Sequence, residues 1–144
     1  MPLITIMGMP SNIRGGYIMG LTDRLQTEIE EVPVLGINHD EVSIFYPNDF
    51  QQEGLGQELI ARIDGLFIKP ERTEEVITNL REAICNCLEE FALKHVPQCY
   101  YIEAFVASMV KPEDCSVRKL DLCPTCNAGN VNCTDCGGVG RKRK

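Results

Sequence analysis

A repeated pattern of apolar residues limits this chain of 144 residues to few folds. In each half, a short apolar strand pattern is followed by an amphipathic helical pattern and then by a second strand pattern. The strands are predicted at residues 2–7, 39–46, 59–68 and 100–110, and the helices at residues 13–31 and 73–94. Because β-α-β connections are right-handed, two consecutive β-α-β units place both helices on one face of a four-stranded sheet. The sequence therefore predicts an α+β fold.

The two helical patterns each have one apolar face, and both faces are expected to cover the same side of the sheet. The second helical pattern is the stronger, with an apolar stripe formed by Val76, Ile77, Leu80, Ile84, Cys87, Leu88 and Phe91. The opposite side of the sheet, which carries Leu3 or Ile4, is left without cover. A bare apolar sheet face in a soluble protein implies a partner, and we expect a homo-oligomer.

A proline stands directly behind the first methionine, at the head of the first predicted strand. Proline donates no backbone hydrogen bond, which makes it unusual at the start of a central strand. If Met1 is removed, the Pro2 nitrogen becomes a secondary amine, and α-amino groups titrate at about 7.7–8.0 in model peptides. Such a group is a usable base at neutral pH, whereas a retained Met1 makes the same nitrogen a non-basic amide. The alternative interpretation is an accident of sequence without chemistry.

Charge divides the chain into two unlike parts. Residues 1–114 hold 8 basic and 19 acidic residues, whereas residues 115–144 hold 6 basic and 2 acidic residues. The acidic part is unsuited to nucleic acid, so any phosphate contact is expected from the basic residues 141–144, for which a solvated terminus is the alternative. The sequence has no apolar run of about 18 residues and no secretory signal, which predicts no membrane partner and a cytoplasmic location.

Four of the eight cysteines lie close together near the C-terminus. Cys123, Cys126, Cys133 and Cys136 form two Cys-x2-Cys pairs separated by six residues. Two such pairs present four thiolates to one ion, which favours a closed, structural zinc site with bonds of about 2.3 Å. An iron–sulfur cluster and free or redox-active thiols are the alternatives. We therefore predict a globular domain at residues 2–112, a zinc-binding tail at residues 113–144, and no organic cofactor.

The globular part resembles the tautomerase superfamily, in particular its longer members with two fused β-α-β units. The resemblance covers residues 2–110 and depends on Pro2, the repeated units and the segments INHDEVSIF and FIKPERTEEV, which look closest to the malonate semialdehyde decarboxylase branch. It implies a trimer with a catalytic N-terminal proline. It also places the branch's acidic residue on Asp40 and its basic pair on Lys69 and Arg72, although the family usually has two arginines. The second cysteine pair is similar to the zinc repeat of J-domain chaperones, which implies metal binding.

Together with this resemblance, the residues predict a tautomerase-type isomerase, or a related lyase or hydratase, that acts on a small 2-keto or 2-hydroxy carboxylic acid. Pro2 is the predicted general base, with Asp40 and Arg72 as further catalytic residues. Lys69 and Arg14 are predicted to bind the substrate carboxylate, and Arg14 is expected to come from a neighbouring subunit. The alternative is a non-catalytic binding or assembly protein on the same scaffold, with the zinc tail docking a partner.

Overall fold

The computed structural model describes residues 1–47 and 57–116. Within these residues, strands and two long helices follow one another along the chain. The helices are α1 (Gly15–Glu30) and α2 (Glu74–His95). The strands are β1 (Leu3–Met7), β2 (Ser43–Phe45), β3 (Glu58–Asp64), β4 (Leu66–Phe67), β5 (Tyr101–Val106) and β6 (Met109–Val110). Two short 3-10 turns lie at His39–Glu41 and Pro112–Asp114.

The main sheet joins the two halves of the chain through β1 and β3. β1 runs parallel to β2 and antiparallel to β3, and β3 runs parallel to β5, which gives the order β2-β1-β3-β5. The predicted α+β fold with a four-stranded sheet and two helices is confirmed. Alternation along the strands sends Ile4 and Ile6 of β1, and Leu59 and Ile63 of β3, into the core.

Both helices bury one stripe of apolar side chains in that core. α1 begins at Gly15, two residues later than predicted, after Arg14 at its N-cap. α2 begins after Thr73, whose hydroxyl oxygen accepts a hydrogen bond from the Val76 N–H at 3.4 Å and so satisfies one free donor of the first turn. The buried stripes are Leu21, Leu25 and Ile29 on α1, and Val76, Leu80, Ile84, Cys87, Leu88, Phe91 and Ala92 on α2.

Two of the predicted strands are each divided in two, so the prediction of unbroken strands at 59–68 and 100–110 is wrong. The first divides at Gly65, whose φ is +72°, and the second divides after Val106. Beyond these points the chain forms a separate parallel ribbon, β4 paired with β6. The Ser108 hydroxyl stabilises the division, because it accepts from the Gly65 N–H at 3.2 Å and donates to Asp64 Oδ1 at 3.0 Å. Apolar alternation does not reveal a left-handed glycine, which is why the patterns appear continuous.

The sheet face opposite the helices is present as expected, but its chemistry is mixed. Leu3 lies on this face at 37% exposure, whereas Ile4 is 1% exposed in the core. Phe45 adds further exposed apolar surface. Arg62 and Asp64 form an ion pair on the same face, with 2.8 Å between Nε and Oδ2. The uncovered face is therefore partly apolar and partly charged.

The described residues from Met1 to Asp114 form one unit. Neither α1 nor α2, the long helices of the described part, is long and apolar enough to cross a membrane. The boundary between residues 112 and 113 remains a prediction. The proposed zinc ligands Cys123, Cys126, Cys133 and Cys136, and the basic residues 141–144, lie outside the described residues.

Candidate active site

The pairing register gathers most of the predicted site residues at one end of the sheet. Leu3 pairs with Ser43 of the parallel strand β2 and with Asp64 of the antiparallel strand β3. The segment before β2 and the segment after β3 therefore both lie at the end where Pro2 leads into β1. The Ser43 N–H also donates to the Pro2 carbonyl at 3.2 Å. On these segments lie four of the predicted site residues, Pro2, Asp40, Lys69 and Arg72.

Pro2 is buried at this end of the sheet, whereas Met1 in front of it is 67% exposed. Met1 lies beside the turn at Gly65, since a Cβ placed on Gly65 would stand 3.4 Å from the Met1 carbonyl oxygen. While Met1 is attached, the Pro2 nitrogen is an amide. Removal of Met1 would convert this nitrogen into a secondary amine at the N-terminal end of β1.

Arg72 is 9% exposed, and its guanidinium joins two segments of backbone. Nε donates to the Leu35 carbonyl at 3.0 Å, and Nη1 donates to the Phe67 carbonyl at 2.7 Å. Among the described residues, no carboxylate forms an ion pair with this guanidinium. Burial lowers the pKa of Arg72, and the more distant charges of Glu71 and Glu41 act in the opposite direction. Arg72 therefore holds the segment before β2 against β4 and carries a positive charge without a close counterion there.

Lys69 stands three residues before Arg72, in the turn that follows β4. The Arg72 N–H donates to the Lys69 carbonyl at 3.0 Å, which closes this turn around Pro70. The Lys69 side chain is exposed and forms no ion pair with any residue that the structure describes. Its ammonium group is therefore available to an anion from solution.

Asp40 lies in the 3-10 turn before β2, and its side chain is fully exposed. Its contact in the described chain is to His39, with 3.5 Å between Asp40 Oδ1 and Nδ1 of the imidazole. His39 Nε2 lies 3.3 Å from Oδ1 of Asp23, on α1. The imidazole thus stands between two carboxylates. Sequence reasoning singled out Asp40 but missed Asp23. Asp23 and His39 are separated by 16 residues, and no local pattern in the sequence connects them.

Arg14 lies at the opposite end of the sheet from Pro2. It stands at the N-cap of α1, after the C-terminal end of β1, whereas Pro2 precedes the N-terminal end of that strand. Its side chain is exposed and forms no ion pair within residues 1–47 and 57–116. Within one chain, the structure therefore does not bring Arg14 together with Pro2, Lys69 and Arg72.

A strained turn beside Arg72 was not foreseen from the sequence. Val34 has a φ of +67°, which a β-branched residue rarely adopts, and it is 65% exposed. Gly36 has a φ of +64°. Between these two residues, the Leu35 carbonyl accepts the hydrogen bond from Arg72. Pro33 and Gly36 are residue types common in turns, but residue type alone does not identify which position carries the strain.

No protein-family model matches this sequence, and no curated protein matches it. Solved structures are similar in fold. A fused 4-OT, described as an asymmetric trimer, has a TM-score of 0.57 at 11% identity, over 80% of this chain and 91% of that one. A macrophage migration inhibitory factor-like protein from Entamoeba histolytica has a TM-score of 0.56 at 12% identity, over 81% and 95% of the two chains.

A third similar structure is N1, a member of the cis-3-chloroacrylic acid dehalogenase family. Its TM-score is 0.54 at 15% identity, and the match covers 80% of this chain and 79% of that one. All three are members of the tautomerase superfamily, and at these identities the likeness shows that this chain has their fold.

Proposed function

We propose that this protein is a tautomerase-like enzyme that uses Pro2, after removal of Met1, as the general base on a small 2-keto or 2-hydroxy carboxylic acid. One observation carries the proposal: Pro2 precedes the inner strand β1 at the end of the sheet that also has the segments of the buried Arg72 and the exposed Lys69. The fold is shared with a protein of the cis-3-chloroacrylic acid dehalogenase family, a family that is named after a small carboxylic acid.

Burial and positive charge suit the Pro2 nitrogen to this role. An α-amino group has a pKa of about 7.7–8.0 in water, and both desolvation and nearby cations lower it. A neutral amine at pH 7 removes a proton from the carbon next to the substrate carbonyl and returns it to the oxygen of the resulting enolate, so that the net change is an isomerisation from keto to enol form, and the reverse sequence gives the keto form. Asp40 is assigned to orient a water molecule or the protonated proline.

The two cations at this end take different parts in the proposed reaction. Lys69 binds the substrate carboxylate as a point charge. Arg72 uses Nε and Nη1 for backbone carbonyls, which leaves Nη2 and the positive charge to stabilise the developing enolate oxygen. Arg14 joins the site only if it is supplied by a second copy of the chain.

The partly apolar face opposite the helices supports a homo-oligomer, since exposed Leu3 and Phe45 favour burial against another copy. A fused 4-OT with the same fold is described as a trimer, and we extend that state to this chain. The site and the assembly are assigned to the cytoplasm.

A second candidate is a non-catalytic binding or assembly protein on the same scaffold. It is favoured by the two bonds that Arg72 makes to backbone carbonyls and by the full exposure of Asp40. In this alternative, the charged groups at the Pro2 end stabilise the fold and the tail docks a partner.

The tail is proposed to hold one structural zinc ion on Cys123, Cys126, Cys133 and Cys136. We expect one zinc per chain when the metal content of the purified protein is measured. Double replacement Cys123→Ser and Cys126→Ser should reduce that ratio to near zero. A cluster with bound iron, or a full-length protein without metal, would show that this assignment is wrong.

The enzymatic proposal is tested by the mass of the native N-terminus and by the enol–keto conversion of phenylpyruvate. We expect a chain that begins at Pro2 and a loss of about 100-fold or more in kcat/KM for Pro2→Ala, because the positioned base is disturbed. The matched control is Pro112→Ala, at an exposed position of the last 3-10 turn, which should leave kcat/KM unchanged. A Met1 that is retained in the cell would leave only the non-catalytic alternative.

A further inference from the structure

A cavity of 560 Å³ lies at the other end of the sheet from Pro2. It is formed where α2 ends and the chain turns into β5. Tyr101, the first residue of β5, pairs with Glu58 at the start of β3, whereas Leu3 pairs with Asp64 at the end of β3. Six steps along β3 correspond to about 20 Å. The cavity is therefore separate from the proposed catalytic site, and an inference about it stands whether or not Pro2 is a base.

Somewhat more than half of the cavity wall is apolar. Ala92, Leu93 and Val96 of α2 and its C-cap form one side, and Ile102 of β5 contributes to the other. Leu93 is 79% exposed and Tyr100 is 74% exposed, so large apolar surfaces stand open to solvent at this position. Small-molecule sites commonly have volumes of about 300–1,000 Å³ with largely apolar walls. The cavity thus has the size of a site for a small molecule, with apolar and polar groups both in its wall.

The charge at this cavity has one sign. Glu89 is among the lining residues, together with the thiols of Cys85 and Cys99, and no Lys or Arg is among the lining residues that the structure describes. Burial raises the pKa of Cys85, and the negative charges of Glu82, Glu103 and Glu89 raise it further. Glu89 is thus the carboxylate in the lining, while Glu82 of α2 and Glu103 of β5 act on the wall residue Cys85 from outside it. Such surroundings attract a cation and repel an anion.

We propose that this cavity binds a small organic cation with an apolar body. Glu89 supplies the negative partner, the walls of α2 and Ile102 cover the apolar body, and the Tyr100 ring at the rim suits a cation. An anion of the same size meets the same walls but is repelled by Glu89. The site therefore discriminates by charge among ligands of equal apolar area.

The cysteines of the chain provide a direct measurement on the full-length protein. Cys85 and Cys99 line the cavity, whereas Cys115 is exposed outside it. Benzyltrimethylammonium at ten times its dissociation constant leaves about a tenth of the sites empty, so alkylation of Cys99 by iodoacetamide should slow about tenfold. The rate at Cys115, followed in the same digest by mass spectrometry, should not change. Phenylacetate at equal ionic strength should protect neither residue.

A matched pair of variants tests the contribution of Glu89. Glu89→Gln should weaken benzyltrimethylammonium binding about fivefold, which is the upper range for a solvent-accessible ion pair. Glu75→Gln removes the same charge from the first turn of α2, away from the cavity lining, and should leave the affinity unchanged. Both glutamates are exposed, so both variants are expected to fold.

Three results would overturn the proposal. The first is equal protection of Cys99 by phenylacetate, and the second is unchanged affinity in Glu89→Gln. The third is a Cys99 that is unreactive without any probe and becomes reactive when the protein is diluted into separate chains. That result would mean that a second copy of the chain covers the cavity.

Discussion

Arg72 joins two backbone segments that are far apart in the chain. Its partners Leu35 and Phe67 lie 37 and 5 residues away, so the guanidinium connects the strained turn at Val34 with the short ribbon strand β4. A planar guanidinium offers several fixed donors, whereas a lysine ammonium is a single point on a flexible stem. The buried side chain can therefore serve the fold and the proposed site together.

Replacement of this guanidinium should reduce stability. We expect Arg72→Lys to lower the free energy of unfolding by about 2 kcal/mol, because one charge-assisted hydrogen bond to a buried carbonyl is lost. Urea denaturation followed by circular dichroism measures this change. Arg14→Lys is the control, since Arg14 is exposed and forms no ion pair with the described residues. Equal midpoints for both variants would contradict the bridging role of Arg72.

Gly8 and Gly20, two glycines of the first half, affect stability in opposite ways. Gly8 ends β1 with a φ of +85°, and a Cβ built there would stand 1.9 Å from the Glu58 carbonyl oxygen. The close approach of the chain after β1 to the start of β3 thus needs glycine. Gly20 lies within α1, where an added Cβ would meet no atom within 4 Å beyond its chain neighbours and the nearby backbone of its own helix. There, glycine only weakens the helix.

These two positions predict effects of opposite sign. Gly8→Ala should lower the free energy of unfolding by about 3 kcal/mol or more, because left-handed strain adds to a backbone collision. Gly20→Ala should raise it by up to about 1 kcal/mol through higher helix propensity. Thermal and urea unfolding of the two variants give the comparison. A neutral Gly8→Ala would show that β1 and β3 do not approach as closely as described.

The packing of α1 against α2 gives the whole molecule a dependence on pH. Cys87 is 2% exposed in the core, and burial raises the pKa of its thiol to about 11, with the charge of Glu28 as a smaller contribution in the same direction. Beside Cys87, Arg24 of α1 pairs with Glu90 of α2, and the positive charge of Arg24 partly opposes the effect of burial on the thiol pKa. A thiol that ionises more readily in the unfolded chain than in the folded one links stability to pH.

The Cys87 thiol should make alkaline pH destabilising. Well below pH 9, the ordinary pKa of a cysteine thiol, the thiol is protonated in both the folded and the unfolded chain and its contribution to stability is fully present. As pH rises towards 11, the unfolded chain ionises first and the contribution is lost, by about 1–2 kcal/mol. Urea midpoints between pH 8 and 11 should therefore fall more steeply for the wild type than for Cys87→Ala. Parallel slopes would contradict this origin.

Most of the fold was predictable because its signals are local. The stripe from Val76 to Phe91 repeats at the helical period and the strands alternate, so the order of elements and the four-stranded sheet were correct. The divided strands were not predictable, because the division depends on the left-handed Gly65 and on the bond from Ser108 to Asp64, 44 residues away. Pattern alone also left open whether Leu3 or Ile4 faces the helices.

The candidate site, like the fold, has some features that the sequence predicts and others that depend on the folded chain. The residue types Pro2, Asp40, Lys69 and Arg72, and their place at the ends of strands, follow from order along the chain, because an apolar period identifies each strand and its ends. Their surroundings follow only from the packed chain: Arg72 lies between two carbonyls, Asp40 reaches solvent beside His39, and Arg14 stands at the far end of the sheet. Periodicity is a property of neighbouring residues, whereas burial, hydrogen-bond partners and the local electrostatic field arise between segments that meet only after folding.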